Sequence, residues 1–317
     1  MAPRIVVVGS ANVDLTAFGD RFPQPGETIF GQHFDLGWGG KGANQAVAAR
    51  LCGADVDMVG CVGDDLFGPA TIDNFVKQGV GADHVRVVPG ASSGVAPVFV
   101  EPNGQNRIIV VKGANDCLSP ADVDEALPLL KRADCIVVQL EVPINTVYYT
   151  IARAAELKIP CILNPAPAQS LDMRAIAGVS YVIPNESEAE TLTGLPVRTL
   201  TDAEICARHL LACGLSRAII TLGERGALLV SRDGAAHVPG VAVATRDTTG
   251  AGDAFIGSFA VFVAEGAGGP GSNAERNAIA RANLYAALST TRIGTQKSFV
   301  TRQQFDAEWT SRLAAEA

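Results

Sequence analysis

Short runs of aliphatic residues, many of them β-branched, recur along the chain: "RIVVVGS", "DMVGCVG", "DCIVVQL", "PCILNPA", "YVIPNE" and "RAIITLG". They are continuous rather than alternating, so each reads as a strand buried on both faces. The segments between them carry helical signals. "LSPADVDEALPLLKRA" opens with Ser119 as N-cap and Pro120 at the first helical position. "LTDAEICARHLLACG" takes Thr201 as N-cap, Glu204 as its capping-box partner and Gly214 as its stop. The alternation predicts an α/β fold with a mostly parallel central sheet flanked by helices.

Two regions break the pattern. Residues 15–38, "LTAFGDRFPQPGETIFGQHFDLGW", hold two strand-like pieces around a Pro/Gly turn. Residues 94–113 hold two more, joined across Asn103-Gly104. Neither has room for a crossover helix, so both read as hairpins. They either pair into one small sheet beside the main domain or stand as separate surface hairpins. The α/β core then takes 1–14, 39–93 and 114–317, and the small β element takes 15–38 and 94–113. "EGAGGPGSN" reads as a surface loop, and no internal repeat or long low-complexity linker is present.

Composition narrows the classes. With 317 residues, 48% of them hydrophobic, the chain can bury a substantial core as one domain or one domain plus an appendage. A net charge of −8 with no Lys/Arg run argues against a nucleic-acid partner. Small anions can still bind through backbone N–H groups. The start, "MAPRIVVVGS", lacks the long apolar stretch of a secretion signal, and "LAAEA" matches no retention or peroxisomal signal. The longest apolar run, 254–264, is too short for a bilayer, so no membrane association is expected. Seven cysteines, Cys52, Cys61, Cys135 and Cys161 among them, form no C-x-x-C pair and read as reduced core residues of a cytosolic protein. Zinc has no support. His33, His84, His209 and His237 cluster in no motif and read as surface or packing residues.

Candidate chemistry gathers at two glycine clusters. In "GWGGKGANQA", Gly37-x-Gly39-x-x-Gly42 matches a dinucleotide fingerprint, with Asp57 at a suitable distance. That fingerprint needs a strand of a βαβ unit before it, and here the strand belongs to a hairpin. A P-loop needs Ser or Thr after its Lys, yet Gly42 follows Lys41. What remains is a tight turn, or a place where backbone approaches a ligand, with Lys41 and Asn44 at the start of a helix running to Gly53. Asn12 and Asp14 follow the first strand, where open α/β sheets place ligands. They suit either a turn or a polyhydroxylated molecule. Glu141 and Asn185 also stand at strand ends, so the four suggest one polar crevice. The strongest stretch is "RDTTGAGDAFIGSFAVF": Gly250, Ala251 and Gly252 feed into a helix and offer backbone N–H groups to an anion. Asp253, in the first turn, either complements the helix dipole or accepts the proton of an attacking hydroxyl.

"GGKGANQA" followed by Gly53 and Gly63, together with "DTTGAGD", resembles the two signature segments of the ribokinase/PfkB carbohydrate kinases. "GSANVD", "FPQPGET", "QLE", "NPAPA", "PNESEAE" and "TLGERG" extend the resemblance over nearly the whole chain. It implies ATP-dependent phosphorylation of the 5-hydroxyl of D-ribose, giving D-ribose 5-phosphate and ADP, with Mg²⁺ and an activating K⁺. It implies that Asn12, Asp14, Gly40, Lys41, Gly42, Ala43, Asn44 and Glu141 bind the sugar. Asp253 becomes the catalytic base and Gly250, Ala251 and Gly252 the anion hole. Asn185 and Glu188 match the element associated with Mg²⁺ and phosphate. Thr221, Leu222, Gly223, Glu224, Arg225, Gly226 and Asn283 match the nucleotide segments. Asp247, Thr249, Ser289, Arg292, Gly294 and Ser298 match the monovalent-cation loop. The hairpins would form a lid over the sugar, and two lids would pair in a homodimer. Two departures stand out: Ser258 where the second signature usually has Ala or Gly, and Lys297 where Pro commonly precedes the Ser. Rival readings are a kinase of deoxyribose, a ketose or a nucleoside, a sugar-binding regulator without catalysis, and an oxidoreductase built on the Gly37 match.

Overall fold

The computed structural model describes residues 1–266 and 273–316, so most of the "EGAGGPGSN" loop lies outside the described residues. Strand β1 (Arg4–Val8) leads into a hairpin of β2 (Asn12–Phe18) and β3 (His33–Gly39), followed by α1 (Lys41–Leu51). Next come β4 (Asp55–Gly63), α2 (Phe67–Gln78) and β5 (Gly81–Val88), then the hairpin β6 (Gly94–Val100) and β7 (Asn106–Ile108). Two short helices, α3 (Pro120–Glu125) and α4 (Leu127–Leu130), precede β8 (Cys135–Val138), α5 (Ile144–Leu157), β9 (Cys161–Leu163) and β10 (Tyr181–Val182). Helices α6 (Glu186–Thr193) and α7 (Leu200–Ala212) lead to β11 (Arg217–Thr221), β12 (Ala227–Ser231) and β13 (Gly234–Val238). The chain continues through α8 (Ala251–Glu265), α9 (Asn273–Ser289) and α10 (Arg302–Glu316).

Nine strands form the main sheet in the order β13-β12-β11-β10-β9-β8-β1-β4-β5. Pairing is parallel from β11 to β5, and β12 and β13 add an antiparallel edge. The sequence reading had neither that edge hairpin nor β5: β5 and β13 lack a run of buried aliphatic residues, whereas β12 is buried throughout and was passed over. The central strand shows why continuous apolar runs matter. Ile5 and Val7 join the cluster built with α1, α8 and α9, while Val6 and Val8 join the opposite cluster with α5 and α7. Among the described residues, no helix is long and apolar enough to cross a membrane.

The two hairpins join. β2 pairs with β3 antiparallel and with β6 in parallel, from Asn12↔Gly94 to Phe18↔Val100, giving a four-stranded sheet β3-β2-β6-β7. Its strands begin at Asn12 and include Gly39, so Asn12 and Asp14 lie on β2 itself.

Two local expectations need correcting. The Ser119 capping box forms with Asp122, but the helix breaks at Ala126, with Pro128 in the first turn of its second half. Helix α7 is capped by Thr199 with Asp202, not by Thr201 with Glu204. Both spacings fit a capping box, and the earlier one starts the helix sooner with the same two reciprocal bonds. Glu204 instead bonds Arg208 one turn on, at 2.6 Å.

Candidate active site

The chain leaves β1 for β4 on one side and returns to β8 on the other, so the strand order reverses between β1 and β8. Crevices form at the carboxyl ends of strands at such a point. There Ser10 Oγ donates to Glu141 Oε2 at 2.5 Å. Glu141 Oε2 also accepts the Lys41 N–H at 2.9 Å.

Helix α1 enters this point very closely. A Cβ on Gly42 would lie 2.6 Å from the Ser10 nitrogen, and one on Gly40 would lie 2.7 Å from the Asn12 nitrogen. Gly40 also has φ +86°. These glycines therefore make room for protein backbone at the end of β1. The helix N-terminus is closed by protein groups: Lys41 N–H to Glu141, Gly42 N–H to Ser10 Oγ at 3.3 Å, Ala43 N–H to Ser10 O at 2.8 Å, and Asn44 N–H to Gly40 O at 2.9 Å.

Helix α8 begins differently. Gly250 has φ +78°, and a Cβ there would strike Thr295. The Ala251 N–H bonds Thr248 O at 3.2 Å. No backbone acceptor among the described residues pairs with the Gly252 or Asp253 N–H. A Cβ on Gly252 would meet no atom within 4 Å. Of the two clusters, only this one leaves N–H groups and space for an anion. Ala251, expected in the anion hole, already has a partner.

Asp253 is buried beside this opening, with Oδ2 accepting from Asn44 Nδ2 and Oδ1 from Gln45 Nε2, both at 2.9 Å. Burial raises its carboxyl above the ordinary range, while Lys41, Asn44 and Gln45 pull the other way. For Lys41, burial lowers the ammonium, but Asp253, Glu141 and Glu188 together hold it above its usual value. Asp14 is pushed up to about 6 by burial, then by the charges of Glu141 and Asp253. A Cβ on Gly39 would sit 2.4 Å from the Asp14 carboxylate oxygens, so Gly39 leaves that side chain its place. Asn12 Oδ1 accepts from buried Asn115 Nδ2 at 2.8 Å, which turns the Asn12 amide nitrogen outward. The structure thus gathers Asn12, Asp14, Lys41, Asn44, Glu141 and Asp253. Ser10, Gln45, Asn115, Gln139 and Gln296 support them and were missed. The neighbouring "GSANVD" and "GANQA" segments carried Ser10 and Gln45, but nothing in spacing marked Asn115 or Gln139.

The remaining groups form separate walls. Asn185 and Glu188 make a capping box: Asn185 Oδ1 accepts the Glu188 N–H at 2.9 Å, and Glu188 Oε2 accepts the Asn185 N–H at 2.8 Å. Thr221 pairs with Pro184, and Leu222 N–H bonds Gly226 O at 2.8 Å, closing the turn of Gly223, Glu224 and Arg225. Asn283 donates to Val238 O and Pro239 O at 3.1 and 3.0 Å, so its donors tie α9 to the end of β13 and only its oxygen is spare. Asp247 accepts from Thr249 N–H and Gly294 N–H, each at 2.9 Å, and joins the two halves of the expected cation loop. Burial opposes that charge, but these donors carry its carboxyl below the ordinary range. Buried Ser289 and Ser298 flank the loop, and Arg292 is exposed. Lys297 does not distort it: its Nζ reaches Asp35 on β3 at 3.0 Å, while Ser298 N–H closes a turn on Thr295 O. Ser258, the other departure, is fully buried and bonds Ala254 O.

The family model for "pfkB family carbohydrate kinase" matches residues 2–302, so the chain belongs to that family of sugar kinases. A deoxyribokinase of Salmonella typhi is 45% identical over 95% of this chain and 97% of its own length. A ribokinase of Bacillus subtilis is 39% identical over 95% and 98% respectively. Among solved structures, Arabidopsis thaliana ribokinase complexed with ribose and ATP superposes with a TM-score of 0.88 at 29% identity, covering 97% of this chain and 98% of that one. The expected family and fold are borne out.

Proposed function

We propose that this sugar kinase transfers the γ-phosphoryl of ATP to the 5-hydroxyl of D-ribose. The observation that carries the reading is the contrast between two helix N-termini, one sealed by Ser10 and Glu141, the other open beside buried Asp253. The sugar lies against Asn12, Asp14, Lys41, Asn44 and Glu141, whose donors and acceptors suit a small polyol. Asp253 takes the hydroxyl proton as the oxygen–phosphorus bond forms and ADP leaves. The N–H groups of Gly252 and Asp253 meet the charge on the transferred phosphoryl. The adenine nucleotide occupies the side of Thr221–Gly226 and Asn283. Glu188 offers the single carboxylate that Mg²⁺, carried mainly by phosphates and water, ordinarily needs. Mg²⁺ supplies charge neutralisation of the phosphates. The segment of Asp247, Gly294 and Ser298 suits K⁺ through carbonyl oxygens. The lid sheet exposes Phe34, Leu36, Ile109 and Val111, which the strand register places on one apolar face that a second copy would cover.

A second reading takes 2-deoxyribose as the sugar, and the 45% identity to a deoxyribokinase favours it. ADP release over a panel of sugars, with K⁺ and with Na⁺, decides between them. The ribose reading fails if 2-deoxyribose has the higher kcat/KM. Asp253→Asn should lose about 10²–10⁴-fold or more in turnover while retaining ATP, and near-normal turnover would remove Asp253 as the base.

A further inference from the structure

The carboxylate of Asp253 ends a two-tiered arrangement of buried amides. Its Oδ2 is held by Asn44, whose Oδ1 accepts from Gln296 Nε2 at 3.1 Å, and Gln296 Oε1 in turn accepts from Asn74 Nδ2 at 3.1 Å. Its Oδ1 is held by Gln45 Nε2, which also donates to Asn164 Oδ1 at 3.1 Å. Gln45 Oε1 accepts from Gln139 Nε2 at 2.7 Å. Gln45 and Gln139 are fully buried, so neither contacts a bound sugar directly.

The direction of this chain is dictated from one end. An ionised carboxylate only accepts, so Gln45 must turn its nitrogen toward Asp253 and its oxygen away. Gln139 must then donate to that oxygen. The cost appears at the far end, where Gln139 Oε1 is buried with no partner among the described residues. Gly9 leaves the space for it, since a Cβ there would lie 2.0 Å from that oxygen. An arrangement serving packing alone would place the unpaired atom at the surface or omit the amides. Here an unsatisfied oxygen is tolerated so that a donor faces Asp253.

We propose that Gln45 is a positioning residue for the reaction, fixing the rotation of the Asp253 carboxylate so that its free lone pair meets the sugar hydroxyl, and that Gln139 holds Gln45 in that orientation. The inference rests on Asp253 acting as the base. It separates Gln45 from Asn44, which serves the sugar wall as well.

The test uses the full chain with Gln45→Met, which keeps side-chain length and removes the donor, and Gln139→Leu, one step further from the carboxylate. Steady-state ADP release is measured from pH 5 to 9 with the preferred sugar of the panel, alongside thermal unfolding. Loss of the Gln45 bond leaves burial less opposed, so the acid limb of the kcat profile moves to higher pH. The charges facing Asp253 are Lys41 on α1, Glu141 after β8, Asp14 on β2 and Glu188 on α6; both variants retain all four. For Gln45→Met the expected result is kcat lower by about ten- to a hundredfold, as for a small misplacement of a reacting group, with sugar KM changed by less than threefold. Gln139→Leu should move kcat and the acid limb in the same direction by less. A purely structural role would lower the melting temperature and shift kcat and KM together, with the acid limb unmoved, and that result overturns the proposal. Should Gln45→Met not fold, an unchanged profile in Gln139→Leu overturns it equally. Asp253→Asn tells the two failures apart: full turnover there removes the base, whereas an inactive Asp253→Asn beside a normal Gln45→Met removes only Gln45.

Discussion

Replacing Asp14 by Asn tests the electrostatics of the proposed sugar site in the free protein. Burial, with Glu141 and Asp253 adding like charge, raises the Asp14 carboxyl to about 6 from 3.8. The folded state therefore holds its proton more tightly than the unfolded chain, and stability falls as pH rises through that interval. At neutral pH the ionised side chain costs ~3 kcal/mol, taking ~1.4 kcal/mol per pH unit of separation. Asn carries no such cost. The stability difference between Asp14→Asn and wild type should therefore grow in favour of the variant by ~3 kcal/mol from below pH 4 to pH 7, then level off. With ~2.1 cal/mol/K of unfolding entropy per residue, a chain of this length converts that to ~4–5 °C in Tm. Scanning calorimetry of both proteins in sugar-free buffer from pH 3 to 8 reads it directly. The same variant should raise sugar KM by about ten- to a hundredfold, the worth of a hydrogen bond to a charged group. A Tm difference that stays constant with pH would refute the assignment of an unrelieved charge to Asp14.

Three other outcomes follow from particular contacts. Gly42→Ala forces a Cβ against Ser10 backbone on two sides, so α1 must withdraw; unfolding in urea should show a loss of at least ~1–3 kcal/mol, with turnover falling too. Lys297→Ala removes an exposed pair with Asp35, worth ~0–1 kcal/mol. Its Tm should barely move and its K⁺ activation should persist, because Ser298 and Asp247 keep their partners. Ile109→Asp on the open lid face should halve the mass seen by light scattering if two lids pair, and leave it unchanged if they do not.

The fold was legible where burial is two-sided. Continuous runs such as 5–8 and Cys135–Val138 became central strands because each residue faces one of two helical layers. The edge strand Gly234–Val238 has small and alternately exposed side chains, so no comparable run marks it. The Thr199 box was passed over because two overlapping spacings satisfy the same rule, and the choice depends on where α7 meets the preceding chain. The hairpins were recognisable one at a time through their turns. Their union depends on parallel pairing between β2 and β6, which no local signal encodes.

The site shows a sharper boundary between pattern and partner. Both glycine clusters precede helices, and both contain residues suited to an anion, so composition treats them alike. What separates them is where each N–H finds its acceptor. Ser10 and Glu141, remote in sequence from α1, cap its first turn and leave Lys41 with a side chain among three carboxylates but no amide to offer. Among the described residues, nothing comparable reaches Gly252. Glycine in the first cluster lets a helix press against the end of β1, and glycine in the second keeps a helix end clear. The same residue serves opposite ends because a missing Cβ removes an obstacle without specifying what fills the space. That choice is made by Ser10, Glu141 and Thr295, and it is settled only when the strands carrying them are assembled.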